Sequence, residues 1–151
     1  MTDSDTVSVL NSLIETSKNG EKGFATAAED VKSAELKQFF SQYSTECAAA
    51  ARELQDEVRA RGGDPETGGS ALGALHRGWV DMKGAITGHD DVAIINECER
   101  GEDVAKSDYS KALEKDLPIS VRTLVQRHYE GVVRHHDHVR ALREQYKAMK
   151  S

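Results

Sequence analysis

Apolar residues recur every three to four positions along most of the chain, which is the spacing of one face of an α-helix. Polar and helix-breaking residues fall between these stripes, above all at 62–65, where two glycines precede Asp64 and Pro65, and at Pro118. The pattern predicts long helices at about 4–31, 34–61, 90–116 and 119–149. It also predicts a shorter helix near 70–87.

The turn between the first two predicted helices is short, which makes them antiparallel neighbours. Ser33 is the expected N-cap of the second helix, and Asp3, Ser4 and Asp5 offer capping oxygens to the first. The shorter helix is long enough to carry the chain along the length of a helix bundle. We therefore predict an all-α fold, an antiparallel four-helix bundle with a long crossover that carries a short fifth helix between the second and third long helices. Residues 1–151 are expected to form a single domain.

Composition and charge narrow the functional classes. Hydrophobic residues make up 38% of the chain and charged residues 30%, and the net charge is −6. Nucleic-acid binding depends on clustered Lys and Arg, so this balance argues against it. We see neither a signal peptide nor an apolar run near the ~20 residues of a membrane span, so a cytoplasmic protein is expected. Cys47 and Cys98 lie on apolar stripes, as reduced and buried thiols do.

Polar residues interrupt the apolar stripes near the middle of each long helix. Glu102 shares a stripe with Ile95, Cys98 and Tyr109, and Glu21 falls within about 20° of the first stripe. Glu46 borders the second stripe, while His128 and His135 lie on the fourth. A buried carboxylate requires a metal, a counter-charge, hydrogen bonds or a raised pKa. Gly20 and Gly23 flank Glu21, which indicates either a close helix approach or a local bulge.

The helix midpoints predict that these polar groups meet in one layer. Glu21, Glu46, Glu102 and His135 each lie within about 3 Å of mid-bundle, and His136 is a neighbour. Carboxylates and imidazoles from four helices are the ligands that binuclear iron or manganese sites use. The tentative metal ligands are therefore Glu21, Glu46, Glu102, His135 and His136.

Several short motifs carry a family resemblance over nearly the whole chain: Leu10-Asn11, Glu21-Lys22-Gly23-Phe24, Gly69-Ser70, His76-Arg77-Gly78-Trp79, Glu99-Arg100-Gly101-Glu102-Asp103, His136-Asp137 and Val139-Arg140. With these the chain resembles a family of small bacterial proteins of unassigned function in the ferritin-like superfamily. The resemblance implies an antiparallel four-helix bundle with a long crossover. The chain departs from ferritin and bacterioferritin, because it has no Glu-x-x-His motif: Ala49 stands three residues after Glu46, and Val132 three before His135.

Three hypotheses about the function of the protein stay open. In the first, the protein is a non-enzymatic stress-related or interaction protein, and Tyr43, Tyr109, Arg100 or His135 holds the buried carboxylates. In the second, the same layer binds iron or manganese. A catalyst using His76 beside Arg77 is a third reading, but no nucleophile or phosphate-binding loop accompanies that pair. We also expect a homodimer, with an unidentified protein partner left open, and the expected shared surface consists of Leu72, Leu75, Trp79 and Met82.

Overall fold

A computed structural model describes residues 1–66 and 90–150 of the chain. In these ranges the chain forms four helices and no strand: α1 (Asp3–Asp30), α2 (Ala34–Ala60), α3 (Asp91–Leu113) and α4 (Ile119–Lys150). The all-α prediction is confirmed, with helix ends within three residues of their predicted positions. The predicted helix near 70–87, which contains His76 and the proposed dimer surface, lies outside the described residues.

Local side-chain bonds explain where the first two helices begin. Thr2, not Asp3, Ser4 or Asp5, is the N-cap of α1: its hydroxyl accepts from the Asp5 backbone N–H, and the Asp5 carboxylate accepts from the Thr2 N–H. This reciprocal capping box satisfies two donors that a helix end otherwise leaves free. Ser33 caps α2 as predicted, because its hydroxyl accepts from the Leu36 N–H.

Hydrogen bonds and an ion pair between helix ends show the direction in which each helix runs. The Asp91 carboxylate at the start of α3 accepts from the backbone N–H groups of Lys32 and Ser33, at 2.8 and 3.0 Å. At the far end of α2, Arg61 pairs with Asp3 at 3.1 Å. The end of α2 therefore lies beside the start of α1, while α3 begins beside the turn that joins α1 to α2. The two points that residues 67–89 connect are at opposite ends of the helices.

The apolar core has two parts. One cluster, around Phe24, Phe40 and Ile95, lies toward the α1–α2 turn. The other, around Leu10 and Leu54, lies toward the start of α1. Each fully buried side chain of this size contributes about 1.5–3 kcal/mol to folding. Because the clusters occupy the two ends of the helices, the middle is left to more polar residues, as the sequence predicts.

Close contact between α1 and α2 occurs at Gly20. A Cβ atom at this position would lie 2.9 Å from Cys47 Sγ, which is shorter than a normal contact. Of the two sequence interpretations, close approach is therefore correct for Gly20. In the described ranges, no helix has both the length and the apolar character that a membrane crossing requires.

Candidate functional site

A cavity of about 350 Å³ lies between the two apolar clusters. All four helices contribute to its walls, through residues within 12–20 of α1, 46–53 of α2, 101–109 of α3 and 127–135 of α4. Its volume is near the lower end of the ~300–1,000 Å³ that small-molecule sites occupy. We call it the mid-bundle cavity.

One level of the cavity joins Glu46, Glu102 and His135, and we call it the Glu102 level. His135 Nε2 lies 2.7 Å from Glu46 Oε2, and His135 Nδ1 lies 3.8 Å from Glu102 Oε1. The imidazole also stacks on Tyr43, with ring centroids 4.1 Å apart. Because Glu46 is an acceptor, His135 donates from Nε2 and turns the Nδ1 lone pair toward Glu102.

A second level of the cavity repeats this arrangement with Glu53, Tyr109 and His128, and we call it the Tyr109 level. His128 Nε2 lies 3.0 Å from Glu53 Oε1, and Arg127 binds the other oxygen of Glu53 at 2.7 Å. The Tyr109 hydroxyl is 3.1 Å from Ser17 Oγ. The buried Nδ1 of His128 has no hydrogen-bond partner in the described part of the chain.

The two levels are related by seven residues on each of three helices. Glu46 and Glu53 are seven apart on α2, as are Glu102 and Tyr109 on α3 and the two histidines on α4. Seven residues are two helical turns, or about 10.5 Å along the axis. The cavity is therefore bounded by two similar polar levels.

An antiparallel register between α2 and α4 produces this repetition. The Tyr43 hydroxyl forms a hydrogen bond with His138 Nδ1. Tyr43 precedes Glu46 by three residues on α2, and His138 follows His135 by three residues on α4. Between the two Glu–His pairs, the facing positions are Ala50 and Gly131, and both line the cavity. Since these two residues are small, the space between the levels stays open.

Burial sets the charge of the ionisable groups at both levels. It raises the pKa of Glu102 from 4.5 to about 8, with a smaller contribution from the Asp103 carboxylate. Burial also lowers the pKa of His135 and of His128, against the opposing effect of Glu46 and Glu53. At neutral pH the site therefore holds a protonated Glu102 beside two neutral imidazoles.

The structure places the five tentative ligands in three different environments. Glu46, Glu102 and His135 come together, although half of the Glu46 side chain is exposed. His136 is bound instead to Asp103, with 2.6 Å between Nε2 and Oδ1, outside the cavity walls.

The prediction that Glu21 is buried is wrong. Its carboxylate pairs with Lys18 at 3.4 Å, and 33% of its side chain is exposed. The contact of α1 with α2 is centred on Gly20, which packs against Cys47. Glu21 is one position further round the helix, so its side chain leaves the seam. Of the four possibilities given above for a buried carboxylate, a raised pKa is the one that Glu102 shows.

A binuclear metal centre does not fit the residues of this layer. Nowhere in residues 1–66 and 90–150 do three or more His, Cys, Asp or Glu side chains converge in a way that could hold an ion. Glu21 and His136, which would complete the set, are bound to Lys18 and Asp103. What remains is one imidazole nitrogen and one carboxyl group facing each other across 3.8 Å.

Sequence reasoning missed Glu53 as a partner of the layer, and it assigned His128 to the apolar stripe of the fourth helix without giving it a role. The signal was present in the chain: Glu53 follows Glu46 by seven residues, and His128 precedes His135 by seven. In an antiparallel pair of helices, equal steps in opposite directions bring such residues together. A second Glu–His pair follows from the first.

Comparison with known proteins places the chain in a family. No curated protein matches it. The family model described as "Domain of unknown function (DUF2383)" matches residues 5–115. This range contains α2, α3 and all but the first two residues of α1, and so both helices that carry the carboxyl groups of the Glu102 level. Since this match covers more than half of the 151 residues, the chain belongs to the DUF2383 family.

Proposed function

We propose that this protein is a non-enzymatic binding protein of the cytoplasm, with an interaction or stress-related role, and that the mid-bundle cavity is its binding site. The observation that carries the proposal is Glu102. It is only 3% exposed, it lines the cavity, and its Oε2 has no hydrogen-bond partner in the described part of the chain.

An unsatisfied carboxyl oxygen is costly to bury. A buried polar group without a hydrogen bond costs roughly 1–3 kcal/mol. Here the orphaned oxygen belongs to a residue in the wall of a 350 Å³ cavity. A ligand in the cavity that donates a hydrogen bond to this oxygen would remove the cost.

The overall architecture that we propose is ferritin-like, with a crossover between α2 and α3. It is supported by the positions of Arg61 and Asp91 at opposite ends of the helices. A chain that joins these points passes along the length of the bundle, which is the connection that ferritin-like bundles use.

A titration followed by amide NMR tests the binding function. The panel contains Mn²⁺, Fe²⁺ under anaerobic conditions, small amines, small carboxylates and sugars. We expect at least one of them to shift the amide signals of Ala50, Gly101 and Gly131 saturably or, for a paramagnetic ion, to broaden them. The variant Ala50→Leu, which fills the space between the levels, should suppress that shift. If no compound moves these three amides, the cavity is not a binding site.

A single divalent cation, iron or manganese, is the second candidate ligand. The favouring observation is that Glu46 holds His135 Nε2, which leaves Nδ1 facing Glu102 Oε1 at 3.8 Å. A carboxylate that orients a histidine in this way is typical of the outer shell of metal sites. His135 and Glu102 would be the protein ligands, and the ion would neutralise the buried carboxylate.

Native mass spectrometry with Mn²⁺ tests this second candidate. Glu102→Gln and His135→Gln should each remove a stoichiometric ion. Glu97→Gln is the matched control, because Glu97 lies on the same helix outside the cavity and pairs with Arg100. Equal metal binding by all four proteins would exclude an ion at this level.

A further inference from the structure

Three residues of the cavity wall each have a side-chain atom that lacks a partner and can accept a hydrogen bond. Neutral Glu102 accepts through Oε2 when its proton is on Oε1, the oxygen that faces the Nδ1 lone pair of His135. Glu102 Oε2, His128 Nδ1 and Asn19 Oδ1 are orphaned within the described part of the chain, and each belongs to a residue that lines the cavity. His128 gives its proton to Glu53 through Nε2, so its Nδ1 carries a lone pair. A ligand that satisfies these atoms must therefore be a donor.

The charges of the walls favour a cationic donor. Five acidic side chains line the cavity against two arginines, Arg127 and Arg134. Arg127 is already engaged with Glu53, and Arg134 is largely exposed. Tyr109 and Cys47 also line the cavity, and because burial raises both of their pKa values, these two side chains stay neutral and leave the charge balance to the carboxylates and arginines. A positive ligand would offset the excess of carboxylates, and an anion would be repelled.

The separation of the orphaned acceptors favours an elongated ligand. Glu102 belongs to one level and His128 to the other, and the levels are about 10.5 Å apart along the helix axis. Between them the walls include the small, uncharged residues Ala49, Ala50 and Gly131. A chain of methylenes suits this middle section, with a polar group at each end.

From these three features we infer that the ligand is a linear aliphatic amine with an ammonium group at each end, a diamine or short polyamine. One ammonium binds Glu102 and Glu46, and the other donates to His128 Nδ1. The inference rests on the proposed binding function and names the chemical class of its ligand. It differs from the metal candidate in using both levels of the cavity.

Isothermal titration calorimetry with 1,4-diaminobutane, 1,5-diaminopentane and spermidine tests the inference. We expect one of the three to bind with a stoichiometry of one per chain. Butylamine, which has one ammonium group, should bind at least about tenfold more weakly, and succinate should not bind. Glu102→Gln should weaken the diamine at least about tenfold, because an ammonium bound beside Glu102 favours the ionised carboxylate and forms a charge-assisted hydrogen bond with it, which glutamine cannot form. Glu97→Gln is the matched control and should leave the affinity unchanged.

The cavity location is tested with Ala50→Leu, which should abolish diamine binding while Glu102→Gln merely weakens it. Glu102→Gln keeps the shape of the side chain, so it is expected to fold. If the wild type binds none of the three amines, or binds them equally well in Ala50→Leu, the amine inference is overturned. A saturable shift of the cavity amides by Mn²⁺ or another compound would then leave the binding function standing, and failure of every compound would remove both.

Discussion

Glu102 determines the chemistry of the cavity, because it is the most deeply buried of the carboxyl groups in the cavity wall. Its position is predictable from the sequence, since it lies on the stripe of Ile95, Cys98 and Tyr109, all of which are buried. The same reasoning fails for Glu21. Periodicity identifies the face of a helix, but the neighbouring helix decides which of two adjacent positions it covers, and here it covers Gly20.

Replacing Glu102 with glutamine is expected to stabilise the ligand-free protein at neutral pH. Because folding raises the pKa of Glu102 from 4.5 to about 8, the folded state holds this proton more tightly than the unfolded state. The contribution of Glu102 to stability is therefore fully present below about pH 4.5 and is lost as the pH rises to about 8.

Glutamine does not titrate, so the stability difference between Glu102→Gln and wild type should grow across this window by at most about 1.4 kcal/mol per pH unit, then level off. Urea unfolding from pH 4 to pH 9 measures it. The contributions of groups remote from Glu102 are common to both proteins and cancel in the difference, but that of His135 cancels only in part, because its Nδ1 lies 3.8 Å from Glu102 Oε1. A difference that does not change with pH would mean that Glu102 is solvated.

At the scale of the helices, the bounds of α1 to α4 follow well from periodicity and breakers. The N-cap of α1 does not follow from them. Asp3, Ser4 and Asp5 all have side chains that can cap a helix, and only the geometry of the first turn shows that Thr2 is the N-cap. The pairing of α2 with α4 is also beyond the pattern of either helix alone. It requires the register, which the Glu46–His135 and Glu53–His128 pairs define together.

Two glycine substitutions test the contact between α1 and α2. Gly20→Ala should destabilise the protein by about 1–3 kcal/mol through overpacking, because the new Cβ would meet Cys47 Sγ at 2.9 Å. Gly131→Ala is the matched control: the nearest atom is 3.6 Å away, so the gain in helix propensity should stabilise by up to about 1 kcal/mol.

Thermal unfolding of the two variants, and of Gly20→Ala combined with Cys47→Ala, measures this contact. The second substitution should recover part of the loss. Equal effects of Gly20→Ala and Gly131→Ala would show that α1 and α2 do not touch at Gly20.

At the scale of the whole molecule, the sequence predicts a small homo-oligomer, most simply a dimer, through Leu72, Leu75, Trp79 and Met82. These residues lie outside the described ranges, so the dimer stays a prediction. Sedimentation velocity at micromolar concentration should show a species of twice the 16.6 kDa chain mass. A monomer, or a cage of many subunits, would contradict it.

A crystal structure of the wild-type chain grown with 1,4-diaminobutane tests most directly whether the mid-bundle cavity is a binding site. We predict the diamine between the two levels, with one nitrogen within hydrogen-bonding distance of Glu102 Oε2 and the other near His128 Nδ1. A cavity filled by side chains of the protein itself, which give both atoms their missing partners, would contradict the binding function.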